Sequence, residues 1–295
     1  MKKSSKKPLK NETFSGFCYF RMTKELQMNH FDFPEARSIV VVGDIHGDFN
    51  KMIYKCCVRY KVRDTLIVVA GDCGFGFERP GYYEYVYERN RRFLGGANCW
   101  VAMVRGNHDN PAYFNGTSRI SHERFMTVPD YAVLTACGRT MLCVGGAVSL
   151  DRAVRTKSPF YHPFKQDDPL RPNTYWHGEQ PFFDEAAIDE VSGLFRVDTV
   201  ITHTAPSLCE RIVKQGLFYF SVDDEDLLAD VEEERRTLDS LRDSLVAYRH
   251  PLRDWVYAHF HQSWHYELNG MMYSMLDIME FREITDGDAP KNKWH

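Results

Sequence analysis

Ser38-Ile39-Val40-Val41-Val42-Gly43-Asp44-Ile45-His46-Gly47 decides how this chain reads. A short run of β-branched residues stops at a glycine, and a carboxylate and an imidazole follow with one residue between them. An unbroken apolar run of that length is a strand buried on both faces. Asp44 and His46 alternate just past its end, so an extended backbone can aim both into one site. The pattern then repeats. Thr65-Leu66-Ile67-Val68-Val69-Ala70 ends at Gly71-Asp72, and Cys99-Trp100-Val101-Ala102-Met103-Val104 ends at Arg105-Gly106-Asn107-His108-Asp109. Residues 48–60 and 81–94, between these runs, have helical character. Strand, helix, strand, helix, strand, with crossovers long enough to hold helices, predicts parallel pairing. Open α/β sheets place their sites beyond the carboxyl ends of strands, which is where the polar residues fall.

The second half reads as more antiparallel. Tyr131-Ala132-Val133-Leu134 and Met141-Leu142-Cys143-Val144-Gly145-Gly146 flank Gly138-Arg139 and predict a hairpin. Thr199-Val200-Ile201-Thr202 and Trp255-Val256-Tyr257-Ala258 are two further strand ends, and Met271 to Asp277 is expected to close the sheet. Residues 155–185, rich in Pro, Asp and aromatics, read as a long loop. Residues 223–247 read as one helix, with Leu227, Val231, Leu238, Leu241 and Leu245 on a single face and four acidic residues in its first turn. It is a surface helix packed on the domain, a lid, or a contact for an oligomer. On this pattern residues 1–35 form an N-terminal extension, and 36–295 form one domain with insertions near 155–185 and 207–250.

Composition narrows the function classes. With 43% hydrophobic and 14% aromatic residues, the 295-residue chain can bury a sizeable core, which excludes global disorder. A net charge of −4 and a pI near 6.3 do not suit a dedicated nucleic-acid binder. No apolar run approaches the roughly 20 residues of a membrane helix. The start, Met1-Lys2-Lys3-Ser4-Ser5-Lys6-Lys7, is basic with no apolar stretch after it. It reads as a tail, or as a contact for nucleic acid or acidic lipid, and not as a secretory signal. Eight scattered cysteines without a C-x-x-C spacing fit reduced thiols in a cytoplasmic protein.

Two late clusters, Thr202-His203-Thr204 and His259-Phe260-His261, complete the chemistry. With Asp44, His46, Asp72 and Asn107 they form a mixed oxygen and nitrogen donor set with no thiolate. Such a set suits Mn, Fe, Zn or Co. Two carboxylates, one amide and four imidazoles are too many ligands for one ion and fit a pair bridged by one carboxylate. Two divalent ions about 4 Å apart activate a water, orient a phosphate and stabilise an in-line displacement. Each cluster alone says little, since His-x-His on a strand is more often structural and Gly-Asp is usually a turn. Their order, at successive strand ends, carries the argument.

These clusters resemble the signature of the calcineurin-like metallophosphoesterases, D-x-H, G-D, G-N-H-[DE], H and G-H-x-H, over residues 38 to about 277. The wording is similar to the branch of serine/threonine protein phosphatases and bacterial diadenosine tetraphosphatases. The resemblance implies an α/β (α+β) sandwich: two mixed sheets packed face to face, flanked by helices, with the metal site at strand carboxyl ends. It implies two divalent metal ions, manganese first among the candidates. Asp44, His46 and His261 would hold one, Asn107, His203 and His259 the other, and Asp72 would bridge them. His108 would protonate the leaving oxygen, and Asp109 would orient His108.

The resemblance further implies hydrolysis of a phosphomonoester or a nucleotide phosphoanhydride by attack of metal-bound hydroxide. Phosphodiester or nucleic-acid cleavage on the same site, and a metal-binding scaffold without chemistry, are the rival readings. The protein-phosphatase branch reads G-D-x-V-D-R-G, whereas Cys73-Gly74-Phe75 follows Asp72 here, so the phosphate-holding arginine is missing. Arg105, Arg152 and Arg155 are the candidate replacements, a guanidinium fork being suited to phosphate. The aromatics Phe160, Tyr161, Phe164, Tyr175 and Trp176 either stack on a nucleobase or pin their loop to the core. Ala258 stands where the family has glycine, and His122, His162, His177, His250 and His265 read as ordinary residues.

Overall fold

In the computed structural model, residues 29–284 are described, apart from 117, 165–167, 169–170 and 210–216. The basic start and the readings made for it lie outside the described residues. In chain order the strands are β1 (His30–Asp32), β2 (Ser38–Val42), β3 (Thr65–Val69), β4 (Cys99–Met103), β5 (Ser121–His122), β6 (Phe125–Thr127), β7 (Ala132–Ala136), β8 (Arg139–Val144), β9 (Thr199–Thr202), β10 (Asp254–Tyr257), β11 (Trp264–Leu268), β12 (Met271–Met275) and β13 (Phe281–Ile284). The main helices are α1 (Phe49–Ile53), which continues as a wider helical turn through Arg59, α2 (Pro80–Ala97), α3 (Arg152–Arg155), α4 (Glu185–Leu194) and α5 (Leu227–Ala247).

β2, β3 and β4 pair in parallel, as their helical crossovers require, in a sheet ordered β13-β2-β3-β4-β6-β5. The other sheet is ordered β1-β7-β8-β9-β10-β12-β11. Alternation along each strand divides the side chains between two cores. Ile39, Val41, Leu66 and Val68 meet Leu134, Cys143, Ile201 and Val256 between the sheets. Val40, Val42, Ile67 and Val69 face the other way and pack under Phe49, Met52, Tyr83 and Leu94 of α1 and α2. On the far side, Val200, Trp255 and Tyr257 pack under Ile188 and Val191 of α4 and Leu238, Leu241 and Leu245 of α5. The two mixed sheets face each other with helices outside, the sandwich that the resemblance implies. Layers on both faces explain why the central strands read as unbroken apolar runs.

The second sheet is more parallel than its sequence suggests: β8, β9, β10 and β12 all run parallel, and only β7–β8 and β11–β12 are antiparallel. The connections between those parallel strands are long enough for crossovers, a length that the hairpin signal alone does not weigh. The hairpin forms one residue earlier than expected. Cys137 and Gly138 take the turn, with φ of 53° and 73°, a left-handed pair that matches strand twist. Arg139 is already in β8, opposite Ala136, and pairs with Asp198 and Asp254. Met271–Met275 lies inside the sheet, not at its end; the edge is β11. β1, within the stretch 1–35, pairs in parallel with β7.

The stripe on α5 is buried within the chain. Leu238, Leu241 and Leu245 cover the sheet, and Leu227 and Val231 join Val148 and Leu217 in a smaller cluster. Residues 155–185 are mostly irregular after α3. Among the described residues no helix is long and apolar enough to cross a membrane.

Candidate metal centre

The sharp chain reversals after β2, β3 and β10 bring the clusters together. Four residues hold left-handed backbone at the site: His46, Asp72, His259 and His261, with φ of 44°, 46°, 69° and 51°. Such conformations are costly outside glycine and concentrate where function needs a side chain aimed. Two glycines allow the close approach. A Cβ on Gly106 would lie 2.1 Å from the Asp72 nitrogen, and one on Gly71 would lie 2.2 Å from His203 Nδ1.

Asp44, His46, Asp72 and His261 present ligand atoms that all lie within 4.8 Å of one another. His46 Nε2 and His261 Nε2 are 3.1 Å apart, and His261 Nε2 is 3.0 Å from Asp44 Oδ2. That carboxylate oxygen is buried and makes no well-formed hydrogen bond. A second group lies deeper. His203 Nδ1–H donates to the Ala70 carbonyl at 2.8 Å, so in the neutral ring Nε2 carries a lone pair. That nitrogen faces Asn107 Oδ1 at 3.0 Å and Asp72 Oδ1 at 3.1 Å. Three acceptors converge with no donor of their own, which a cation or a proton must reconcile. A ligating imidazole fixed by its other nitrogen on a carbonyl is the usual arrangement at a bound metal.

Asp72 stands between the groups. Its Oδ1 faces His203 and accepts the His108 N–H at 2.8 Å, while its Oδ2 faces His46 and His108 at 3.9 and 3.8 Å. His259 packs its ring against His203, with centroids 5.0 Å apart, and its N–H reaches toward Asp44 Oδ1. The residues present therefore fit divalent cations through oxygen and nitrogen donors. Burial alone would raise the Asp72 carboxyl, but His108 and His203 outweigh it and hold it well below the usual range. Burial would lower His203, but Asp72 and Asp44 push it up to about 9, a proton filling the place between the acceptors. Burial, then His203, drives His259 well down.

Around these residues the structure departs from the expected roles. Asp109 does not orient His108. Its buried carboxylate accepts the backbone N–H groups of Cys73, Gly74, Phe75 and Gly106 at 2.7–3.0 Å, so it clamps the loop that carries Asp72 to the loop that carries Asn107. Burial, then Asp72, pushes its carboxyl up to about 7 against those four donors. His108 is held instead by Arg155, whose Nη2 lies 2.6 Å from His108 Nδ1. Burial lowers His108 to about 4, and Arg155 adds to this against the pull of Asp72.

The three candidate arginines separate. Arg105 is buried, pairs with Asp130 at 3.1 Å, and donates to the carbonyls of Gly145, Gly178, Glu179 and Gln180. Arg152 is taken by Asp224, through two bonds of 2.5 and 3.0 Å, and by Asp230. Only Arg155 reaches the site, because α3 turns it back under His108. The aromatic loop residues divide as well. Tyr175 and Trp176 are buried and pin the loop, with Trp176 beside the Phe77 ring that touches His108, whereas Phe160 and Phe164 are exposed.

Sequence reasoning missed Ser149, Glu179 and Glu234. Ser149 Oγ accepts from Asn107 Nδ2 at 2.8 Å and Arg155 Nη1 at 2.9 Å, and donates to Glu179 Oε2 at 2.6 Å. Glu179 also accepts the Ser149 N–H, and burial pushes its carboxyl up to about 8. Asn107 must then turn its oxygen toward His203. Glu234 on α5 accepts from Thr204 Oγ1 and the Val148 N–H, fixing the chain beside His203. None of the three belongs to a repeated spacing; only a polar residue in an otherwise apolar stripe, as at Glu234, could have pointed to one.

Similarity to solved structures is distant. A Thermus thermophilus protein, TT1561, has a TM-score of 0.47 at 15% identity, with 84% of this chain and 94% of that one covered. A phosphopantetheinyl hydrolase from Mycobacterium tuberculosis has 0.45 at 15%, covering 86% and 97%. A dimetal phosphatase from Danio rerio has 0.40 at 10%, covering 85% and 92%. No curated protein matches the sequence significantly. The profile of the calcineurin-like phosphoesterases, however, matches residues 37–286, so this chain belongs to that family.

Proposed function

We propose that the protein is a phosphoesterase with two metal ions that hydrolyses a phosphomonoester or a nucleotide phosphoanhydride. The observation that carries this is Asp72, a carboxylate set between Asp44, His46 and His261 on one side and Asn107 and His203, with the His259 ring packed on His203, on the other. When bound, two divalent cations supply an activated water and positive charge for an in-line displacement at phosphorus. Manganese is the proposed occupant, with Fe, Zn and Co as alternatives that the same oxygen and nitrogen donors accept. Among the described residues, seven free cysteines, six of them buried, support a reducing compartment such as the cytoplasm.

His108 faces the leaving oxygen through Nε2. The Arg155 N–H on Nδ1 keeps the ring proton on that side. Full protonation of the leaving oxygen needs a second ring proton at Nδ1, so Arg155 must turn from His108 to the phosphate. A planar guanidinium suits that exchange, since phosphate is the stronger acceptor. Arg155 thus takes the part of the arginine missing after Asp72. Asp109 contributes by fixing the two loops.

Titration with Mn²⁺ by calorimetry, beside hydrolysis of p-nitrophenyl phosphate, tests this reading. Wild type is expected to bind two ions and turn over. Asp72→Asn should lose at least one ion, and His108→Ala should keep both and lose about 10²–10⁴-fold in kcat. Two bound ions with equal, background rates in all three proteins would leave only a metal-binding scaffold.

A further inference from the structure

A cleft of about 430 Å³ opens over the ligand side chains, with Asp72, Asn107, His108, His259 and His261 as its floor. That volume suits one small organic group beside a phosphate. Three wall residues are apolar, Leu150, Phe220 and Phe260, and Gln262 adds an uncharged amide. The walls are also backed. Leu150 and Phe220 pack on the cluster of Val148, Leu217, Leu227 and Val231, and Phe260 lies edge-on to His259 with ring centroids 4.8 Å apart. Among the described residues, the one charged side chain that lines the cleft beyond the floor is the carboxylate of Asp151.

This lining discriminates between leaving groups. A polyphosphate chain carries further anionic groups away from the metals and needs cations along its path. Along the described lining it would meet hydrocarbon, an amide and a carboxylate. Arg105 and Arg152 are committed to other carboxylates, and Arg155, beside His108, serves the phosphate at the metals and does not line the cleft beyond it. An uncharged ring would instead replace water on Leu150, Phe220 and Phe260 without losing charge contacts.

We infer that the cleft is a leaving-group subsite for an uncharged ring, so that the substrate is a phosphate ester of an aryl, nucleoside or similar ring-bearing alcohol and not a polyphosphate. This rests on the phosphoesterase reading above and selects within it.

The Mn²⁺-loaded full chain would be assayed with 1-naphthyl phosphate, glycerol 2-phosphate and inorganic tripolyphosphate. Binding of phenylphosphonate and methylphosphonate, which it cannot hydrolyse, would be measured in parallel. Naphthyl phosphate is expected to exceed each of the other two in kcat/KM by about tenfold or more, the scale of one ring stacked on an aromatic side chain. Phe220→Ala should lower the naphthyl-to-glycerol ratio by about tenfold, and the phenyl-to-methyl binding ratio with it. Asp151→Asn should raise tripolyphosphate relative to naphthyl phosphate. Tripolyphosphate turned over as fast as naphthyl phosphate, or ratios unmoved in a folded Phe220→Ala protein, would overturn the subsite. A phenylphosphonate preference that depends on Phe220 with no hydrolysis of any ester would keep the subsite and sink the phosphoesterase reading.

Discussion

The hydroxyl of Ser149 accepts from Asn107 and Arg155 and donates to Glu179, so every hydrogen-bonding position on one small side chain is used. The consequence reaches both the amide that faces His203 and the arginine that faces His108. Ser149→Ala should therefore weaken one of two Mn²⁺ sites by about 10–100-fold, a magnitude usual for partners of metal ligands. Glu179→Ala should act in the same direction, and Ser149→Thr, which keeps the hydroxyl, should restore most of the affinity. Calorimetry on the metal-free protein reads this without any assay of activity. A loss of stability with both sites intact would reduce Ser149 to a structural residue. The sequence reveals the candidate ligands because they stand just past strong strand signals. It conceals Ser149 and Glu179, single polar residues in irregular chain, and it cannot say which of Arg105, Arg152 and Arg155 turns toward the site.

Arg152 and Arg155 lie one helical turn apart at the ends of α3, yet they serve different partners. Arg152 ties α3 to Asp224, just before α5, and to Asp230 in its first turn. Arg155 then projects from a fixed platform. Arg152→Ala should cost about 1–3 kcal/mol in urea denaturation, the scale of hydrogen bonds to charged groups. It should also lower kcat/KM while leaving two Mn²⁺ ions bound. A variant with unchanged kinetics would show that α3 holds Arg155 without help from α5. At this scale the strands buried on both faces were legible, and so was α5 with its periodic leucines. β11 was not: Trp264-His265-Tyr266-Glu267-Leu268 is an edge strand, largely open to solvent, whose mixed composition carries no apolar run. β1 and β13 are three and four residues long and sit at sheet edges, too short for a period to register.

Two histidines outside the candidate metal centre contribute stability that acid removes. His265 Nδ1 accepts from Arg282 Nη1 at 2.7 Å, with Glu280 3.8 Å from its other nitrogen. Burial, then Arg282, lowers it to about 4. His250 Nδ1 accepts the Val197 N–H at 3.0 Å, its Nε2 meets Ser192, and burial, then Arg196, lowers it too. In the unfolded chain a histidine titrates near 6.5. Between that pH and about 4 the unfolded state binds protons that these folded sites refuse, so their contribution to stability falls as pH falls through this window. Relative to wild type, the urea midpoint of His265→Gln should rise as pH falls from 7.5 to 4, because the variant lacks this part of the pH dependence. An equal slope in the variant would mean that other groups govern it.

What the sequence by itself determined was the set of strands buried on both faces and the candidate ligand clusters at their ends. Both follow from local rules: an apolar run needs cover on two sides, and a short polar motif after a strand is carried to the sheet's edge. What only the tertiary structure decided was the direction of the second sheet, the arginine that reaches His108, the carboxylate that clamps the loops, and the apolar walls of the cleft. These depend on which distant segments meet, and a buried polar or apolar side chain takes its role from its neighbours in space.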